Sequence, residues 1–481
     1  MLKWSLRGLG FAVLVLIAVI AVRTGQYRPA PVAENEPFAF GADLDKAVRD
    51  LSAAVTFRTV STDMTRPDFR AFLGWMETTW PQVFATMERV VLDPATPLYI
   101  WQGRDDTLPP ILLAAHYDVV PVAPVALDQW AYPPYAGVVA DGFVWGRGTL
   151  DNKGALVAIM TAAEQLIGEG FTPQRTIYLS FGGDEETGGT GAQAVADFLK
   201  ARSQRLGWAL DEGSFVLDRI IPGLDVPVAS INIAEKGYVT MTLVATGAGG
   251  HSSMPPRETA VGKLATAVAK LQATPVPGGL TGVSEEFFDA LGRYFSIEKR
   301  AIFANRWLFE PLLEGILAGA PSTDAMLRTT TAPTMLSGSP KENVLAQRAT
   351  ATINFRIHPR DSIDDIVAHV RDTIDDDSIE IEMNRDFASP ASPVSDSSGP
   401  GYLAIEASIR ATFGPIASVP GLTIAATDAR HYATAADGAY RINPFRITAD
   451  DLTRFHGVNE RLSVENLEKG ITFYGSLMSG L

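Results

Sequence analysis

Four short stretches of this chain bring acidic and imidazole side chains to places where they could share a cation. In LLAAHYDVVP, His116 and Asp118 are two residues apart, and on a strand such residues face the same way. Asp118 can then hold the His116 ring and leave one imidazole nitrogen free for a metal. A buried His–Asp pair without a metal has the same pattern. In GRGTLDNKG (146–154), Asp151 opens a helical pattern, where a carboxylate also serves as an ordinary N-cap. In GGDEETGG (182–189), Asp184, Glu185 and Glu186 are consecutive and flanked by glycines. Crowded carboxylates repel unless a cation sits among them, although a solvated acidic turn has the same composition. In LDEGS (210–214), Asp211 follows an apolar run and reads as a ligand or as part of a plain turn. Histidine plus carboxylates without thiolates suits zinc, with cobalt or manganese accepting the same N and O donors. Two ions sharing one carboxylate use about four further ligands, and a free carboxylate can then act as base on a bridging water.

The elements that must position these residues follow from periodicity. PPILLAAHYDVV (109–120) and RTIYLSFGG (175–183) read as buried strands, and 151–170 and 188–202 as helices. The first of these helices carries Leu156, Ile159, Met160, Ala163 and Ile167 on one face. This βαβα order predicts an α/β domain with a largely parallel sheet, whose strand ends collect ligands. Near Ile233 the pattern changes. Residues 236–247 alternate as a half-exposed strand does, a helix follows at 258–272, and 284–318 is aromatic-rich and helical. Segments 349–359, 363–374 and 378–384 then read strand, helix, strand, which fits an antiparallel sheet with helices on one face. The expected organisation is an N-terminal hydrophobic segment (1–28), a first catalytic part (29–235, opening with a linker at 29–36), an inserted domain (236–384) and a second catalytic part (385–481).

Composition narrows the function classes. The chain has 481 residues, 46% of them hydrophobic, as a packed globular protein requires. A formal net charge of −15 argues against nucleic acid as a partner. Cysteine is absent, which excludes disulfides, thiolate metal sites and cysteine nucleophiles and leaves the redox compartment open. At the N-terminus, Lys3 and Arg7 precede an apolar run from Gly8 to Val22, closed by Arg23. It reads as a membrane anchor or as a signal segment cleaved near Val19-Ile20-Ala21. Both put the body outside the cytoplasm, in periplasm, lumen or medium, because the basic flank favours an inside N-terminus.

Together the motifs resemble the co-catalytic dizinc peptidases that include carboxypeptidase S, glutamate carboxypeptidase, succinyl-diaminopimelate desuccinylase and aminoacylase. HYDVVP (116–121), GRGTLDNKG (146–154), DEETGG (184–189), GGHSSMP (249–255) and FHGVNERL (455–462) occur in the matching order, and the carboxypeptidase S branch is the most similar. The resemblance implies a zinc-peptidase-like domain, with a mostly parallel sheet flanked by helices, plus an inserted α+β lid that dimerises in some members. It implies two zinc ions bridged by Asp151, one completed by His116 and Asp211, the other by Glu186 and His456. Glu185 would be the general base and Asp118 would orient His116. From the lid, His251 would stabilise an oxyanion, and Asn343 and Arg356 would bind substrate, the arginine through a free carboxylate. Thr427, Asp428 and Arg430 resemble part of the substrate wall. Gly247 to Gly250 are expected to give the lid hinge freedom. His358 and His369 read as structural, and His431 is open. The implied activity is a metallocarboxypeptidase. The alternatives are an N-acyl amino acid hydrolase, with 284–318 flanking an acyl pocket or forming lid core, and an inactive membrane-tethered binding protein.

Overall fold

Three buried strands make the acidic motifs converge. The computed structural model describes all residues except Met1, 31–37, 64, 66, 93, 94, 386 and 387, so most of the expected linker lies outside the described residues. Ile111–His116, Ile177–Gly182 and Trp208–Asp211 are buried along their whole length, as strands covered on both faces must be. They pair in parallel, Ile111 lying opposite both Ile177 and Trp208, and Ala439–Arg441 joins in parallel beside Trp208–Asp211. Away from that centre both kinds of pairing occur. Ala417–Thr423 lies parallel to Val228–Glu235 and Arg446–Ile447 parallel to Val216–Leu217. Pro97–Trp101 runs against Ile177–Gly182, and Val228–Glu235 against Ala439–Arg441. The ten-stranded sheet is therefore mixed around a parallel centre. The βαβα alternation reports that centre, and the antiparallel pairs lie outside it.

Helices cover this sheet. Lys153–Gly168 is buried on almost every side because Val464–Ser479 packs over it. Ser463 caps the latter helix by accepting from the Asn466 N–H. Gly470 makes room for Phe445 and for the neighbouring helix, since a Cβ there would lie 2.7 Å from Phe445 Cε1 and 3.3 Å from Ala158 Cβ.

A second, four-stranded sheet is wholly antiparallel: Thr330–Ser337, Arg348–Ile357, Gly237–Thr246 and Ile379–Met383, in that order. Strand Arg348–Ile357 alternates buried and part-exposed residues. Its buried set, Ala351, Ile353, Phe355 and Ile357, meets Leu264 and Leu271 of helix Ala260–Ala273 and Ile366 and Val370 of helix Ile363–Ile374. The capping box at Ser362 and Asp365 starts the second helix.

Two expectations change here. Gly247 to Gly250 lie beyond the far end of Gly237–Thr246, not between the two sheets. The chain crosses at Lys236-Gly237, where a Cβ on Gly237 would lie 2.4 Å from Ala391 N and 2.5 Å from Ser389 O. Close crossing of the two connecting segments, not a run of flexible glycines, joins the sheets. Segment 284–318 is not lid core either. Its helices, Val283–Gly292, Ile297–Ala304 and Arg306–Leu317, form their own cluster around Phe288, Phe303 and Leu313. Leu291 carries that cluster onto Val228, Ala417 and Val419 of the first sheet.

The N-terminal helix runs Leu2–Gln26, and its stretch Arg7–Gln26 is long and apolar enough to cross a membrane. Its last turns are packed against the body. Thr24 is buried, Arg23 Nε donates to Ala304 O at 3.0 Å, and Asn305 Nδ2 donates to Thr24 Oγ1 at 3.4 Å.

His358 ties this helical insert to the second sheet. Its Nδ1 accepts from the Arg360 N–H at 3.3 Å. The other nitrogen lies 2.9 Å from Ser284 Oγ, whose hydroxyl donates to Met326 O. That network assigns the proton to Nε2. Burial, aided by Arg360 and Lys236, pushes the ring down to about 3. The unfolded chain protonates this group near pH 6.5, so between those values it holds the extra proton and stability falls as pH falls. Urea unfolding should show an acid loss between pH 6.5 and pH 3 that is about 3–5 kcal/mol smaller in His358→Gln. Equal acid slopes in the two proteins would refute the neutral ring.

Candidate active site

The site forms where parallel strands end. His116 closes its strand. Ile177–Gly182 leads into the turn Glu185–Thr187, and Trp208–Asp211 ends beside them. Asp184 is not part of the cluster. It accepts from Thr190 Oγ1 and from the Gly191 N–H, so it fastens the acidic turn to the next helix. Gly189 is required there, because its φ is +66° and a Cβ would lie 2.0 Å from Asp428 Oδ1. Asp151 is not a helix cap. The helix begins at Lys153 with Asn152 as its N-cap, which leaves the aspartate free to face the imidazoles.

Asp151 stands between two rings. Its Oδ1 lies 3.0 Å from His116 Nε2 and its Oδ2 3.1 Å from His456 Nε2. Glu186 Oε1 is 3.2 Å from the same His456 nitrogen. Asp118 lies behind: its Oδ1 is 3.3 Å from His116 Nδ1, and its carboxylate accepts the backbone N–H of Glu185 at 3.2 Å and of Glu186 at 3.1 Å. One buried carboxylate thus fixes both a ring and the acidic turn. Two donor groups result, His116 with Asp151 and Glu186, and His116 with Glu185 and Glu212, the donor atoms of each within 4.8 Å of one another.

Glu212, and not its neighbour Asp211, lies in the His116 donor group. Asp211 was to complete the His116 group, yet it is Glu212 whose Oε1 approaches His116 Nε2, at 3.9 Å. Asp211 Oδ1 instead accepts the Glu212 N–H at 2.9 Å, and its Oδ2 is buried without a hydrogen-bond partner. Adjacent residues at a strand end point to opposite sides, so only one of the pair can face the cluster.

The electrostatics fit a cation site. Burial raises Glu185 and Glu212 well above the usual carboxylate range, and neighbouring acids add to it. Burial pushes Asp211 up to about 6. Burial alone would raise Asp151 too, but hydrogen bonds from His116 and His456 outweigh it and hold that carboxyl low. Asp151 and Glu186 push His456 up to about 10. Clustered N and O donors that compete for protons in this way match a divalent metal, which would neutralise them.

The sequence motifs did not single out Glu460. It is fully buried, and its Oε2 lies 2.6 Å from Arg147 Nη1. Its Oε1 accepts the backbone N–H groups of Gly148 (2.9 Å), Leu150 (3.0 Å) and Asp151 (3.2 Å). Arg147 Nη2 donates back to Gly457 O at 2.9 Å. The loop carrying Asp151 and the loop carrying His456 are thereby one unit. Asn459, at φ +60°, adds bonds to Ala131 N and Gln129 O. The signal in sequence was an acid four residues after His456, with nothing to mark its burial.

The TDARHY segment buttresses the site. Asp428 is buried against Gly182 and Gly189, and Thr427 Oγ1 donates to Glu235 Oε2 at 2.7 Å. Arg430 Nη2 donates to Gly188 O at 2.9 Å, and His431 pairs with Gln193 Oε1. The lid residues are not assembled here. His251 is exposed and its strand pairs with Val344–Leu345, next to Asn343. Arg356 lies on the other side of the second sheet's register, stacked on Tyr238 at 4.9 Å. Among the described residues, no hydrogen bond or ion pair joins these three to the cluster. His369 is half-buried and bonds Thr274 O.

Glu460→Ala strands a buried guanidinium and three backbone donors. Denaturant unfolding should show a loss of about 3–5 kcal/mol, and metal analysis should show weakened retention. Wild-type stability in the variant would remove Glu460 from this role.

Comparison with known proteins follows the same lines. The model of Peptidase family M20/M25/M40 matches residues 112–480. A carboxypeptidase S-like protein of Dictyostelium discoideum is 37% identical, over 99% of this chain and 94% of its own. The N-fatty-acyl-amino acid synthase/hydrolase PM20D1 of Mus musculus is also 37% identical, over 98% and 95%. The M20 family metallo-carboxypeptidase Sso-CP2 of Sulfolobus solfataricus superposes with a TM-score of 0.63 at 16% identity, over 90% and 98% of the two chains. At that identity the likeness is one of fold.

Proposed function

The chain belongs to Peptidase family M20/M25/M40 and is a metallohydrolase, and we propose that it cleaves the amide bond to an amino acid bearing a free carboxylate. The observation that carries this reading is Asp151 shared between His116 and His456, with Glu185 beside them. In this proposal His116, Glu212, Asp151, Glu186 and His456 would hold two zinc ions. When bound, such ions acidify a water and polarise the scissile carbonyl.

The remaining work belongs to this chain's own residues. Glu185 takes the proton of the attacking water and delivers it to the leaving amine. Its raised proton affinity, from burial and from Glu212 and Asp428, suits a group that must both accept and release a proton. Asp118 keeps the His116 ring and the Glu185 backbone in place. His251, Asn343 and Arg356 are assigned to the substrate from the lid, which must move toward the cluster for them to act.

Glu185→Gln should keep the bound metal and lower turnover by about 10²–10⁴-fold. Full activity would remove Glu185 from the proton transfer. Metal stoichiometry by mass spectrometry separates the adjacent acids: Glu212→Ala should lose metal, whereas Asp211→Asn should keep it. The reverse result would restore Asp211 as the ligand.

Two substrate classes share this scissile bond, and the first reading is a carboxypeptidase. The second, N-fatty-acyl amino acids, is supported by the equal identity to PM20D1 and by the apolar anchor region. A zinc-loaded competition between N-blocked dipeptides and long-chain N-acyl amino acids, followed by mass spectrometry, decides. Preferential loss of the dipeptides supports the first reading, and preferential loss of the acyl amides the second. We further assign helix Arg7–Gln26 to a membrane anchor, with the body on the non-cytoplasmic side. Alkaline carbonate should leave the intact chain in the membrane pellet. A soluble product beginning at Val22 would refute the anchor.

A further inference from the structure

Helix Arg306–Leu317 carries apolar residues on its exposed side as well as on its buried one. Its buried side carries Leu313 and Leu317, which pack with Leu280 and Phe303. Of its charged residues, Arg306 and Glu314 are turned to protein, while the Glu310 side chain is 47% exposed and lies 3.7 Å from Arg306 Nε. Arg306 pairs with Glu285, and Glu314 Oε1 accepts the Leu280 N–H at 2.9 Å. The exposed positions are Trp307, Leu308, Pro311, Leu312, Gly315 and Ile316, spaced at i, i+1, i+4, i+5, i+8 and i+9. They form one face without a charge or a polar aliphatic group. Trp307 is 57% exposed, Leu312 54% and Ile316 57%. A surface helix in water has the opposite arrangement, and a continuous exposed apolar face of this kind marks an interaction surface.

What covers the face is indicated by where it begins. Asn305 immediately precedes this helix, and its Nδ2 contacts Thr24 Oγ1 at 3.4 Å and Ile20 O at 3.5 Å. Thr24 and Ile20 are in the last turns of the apolar N-terminal helix. Trp307 follows Asn305 by two residues, a rise of about 3 Å along a helix. The apolar face therefore starts at the level where the anchor leaves the lipid. Ile297, 58% exposed at the start of the neighbouring helix, extends the apolar surface. Glu298 and Lys299 beside it are exposed, and a tryptophan on an exposed apolar face is the composition of a helix that lies in a bilayer interface.

We propose that the exposed face of Arg306–Leu317 is a second membrane contact, lying in the plane of the outer leaflet with its side chains at the boundary of headgroups and acyl chains. The contact rests on the anchored reading of Arg7–Gln26. It holds the helical insert, and through Leu291 the edge of the catalytic sheet, against the lipid surface.

The absence of cysteine makes the test direct. Leu312→Cys, Leu16→Cys and Val125→Cys are each made in the full chain, labelled with an environment-sensitive fluorophore and reconstituted into phosphatidylcholine–phosphatidylglycerol vesicles with doxyl-labelled lipid. Quenching is expected at positions 16 and 312 and not at 125, a residue 90% exposed. Quenching at 16 without quenching at 312 overturns the proposal and leaves the anchor standing. No quenching at either overturns the anchor and the proposal with it. Thiol cross-linking of unlabelled Leu312→Cys chains into dimers, without lipid quenching at 312, assigns the face to a second copy and also overturns the proposal.

Discussion

The bond network of one buried carboxylate, Glu460, fixes the spacing on which the catalytic centre depends. Its two oxygens serve four donors, a guanidinium and three consecutive-loop N–H groups. Such a group is stable in a dry interior only when every lone pair is used. Because all four donors come from the Asp151 loop and the acceptor comes from the His456 loop, the aspartate and the imidazole cannot drift apart independently. The remaining geometry hangs on this clamp: His116 reaches Asp151 from a rigid strand end, and Asp118 sets the angle of that ring.

The cost of the arrangement is electrostatic. Carboxylates brought this close repel, and burial raises their hold on protons instead of relieving it. The fold supports that strain with apolar mass on both faces of the sheet. Helix Lys153–Gly168 is almost wholly enclosed, and the neighbouring strands have no exposed residue. Function sits where the local chemistry is least favourable and the surrounding packing most complete.

Much of this was legible in the residues. Alternation in 349–359 and the 3.6-residue period in 363–374 mark real elements, because burial on one face writes itself into the sequence. Buried strands such as Ile111–His116 are legible as unbroken apolar runs. Three things were not. Asp211 and Glu212 are both acids at a strand end, and which one faces the cluster depends on register, which composition does not carry. Glu460 resembles any surface acid until its partners, more than three hundred positions away in Gly148 and Leu150, are folded against it. Within segment 284–318, helix Arg306–Leu317 has apolar residues on both sides, so its pattern cannot say which side meets protein.

The clamp also has a temporal meaning. Asp118, Asp151 and Glu186 are adjacent to one another through strands and turns made early in synthesis, yet the acceptor that locks them is Glu460 and the second ring is His456. A growing chain can build the parallel strands and still lack a closed centre until those late residues have emerged and docked. A partial chain thus lacks both the clamp and the second ring, and the centre closes in one late step, not by degrees.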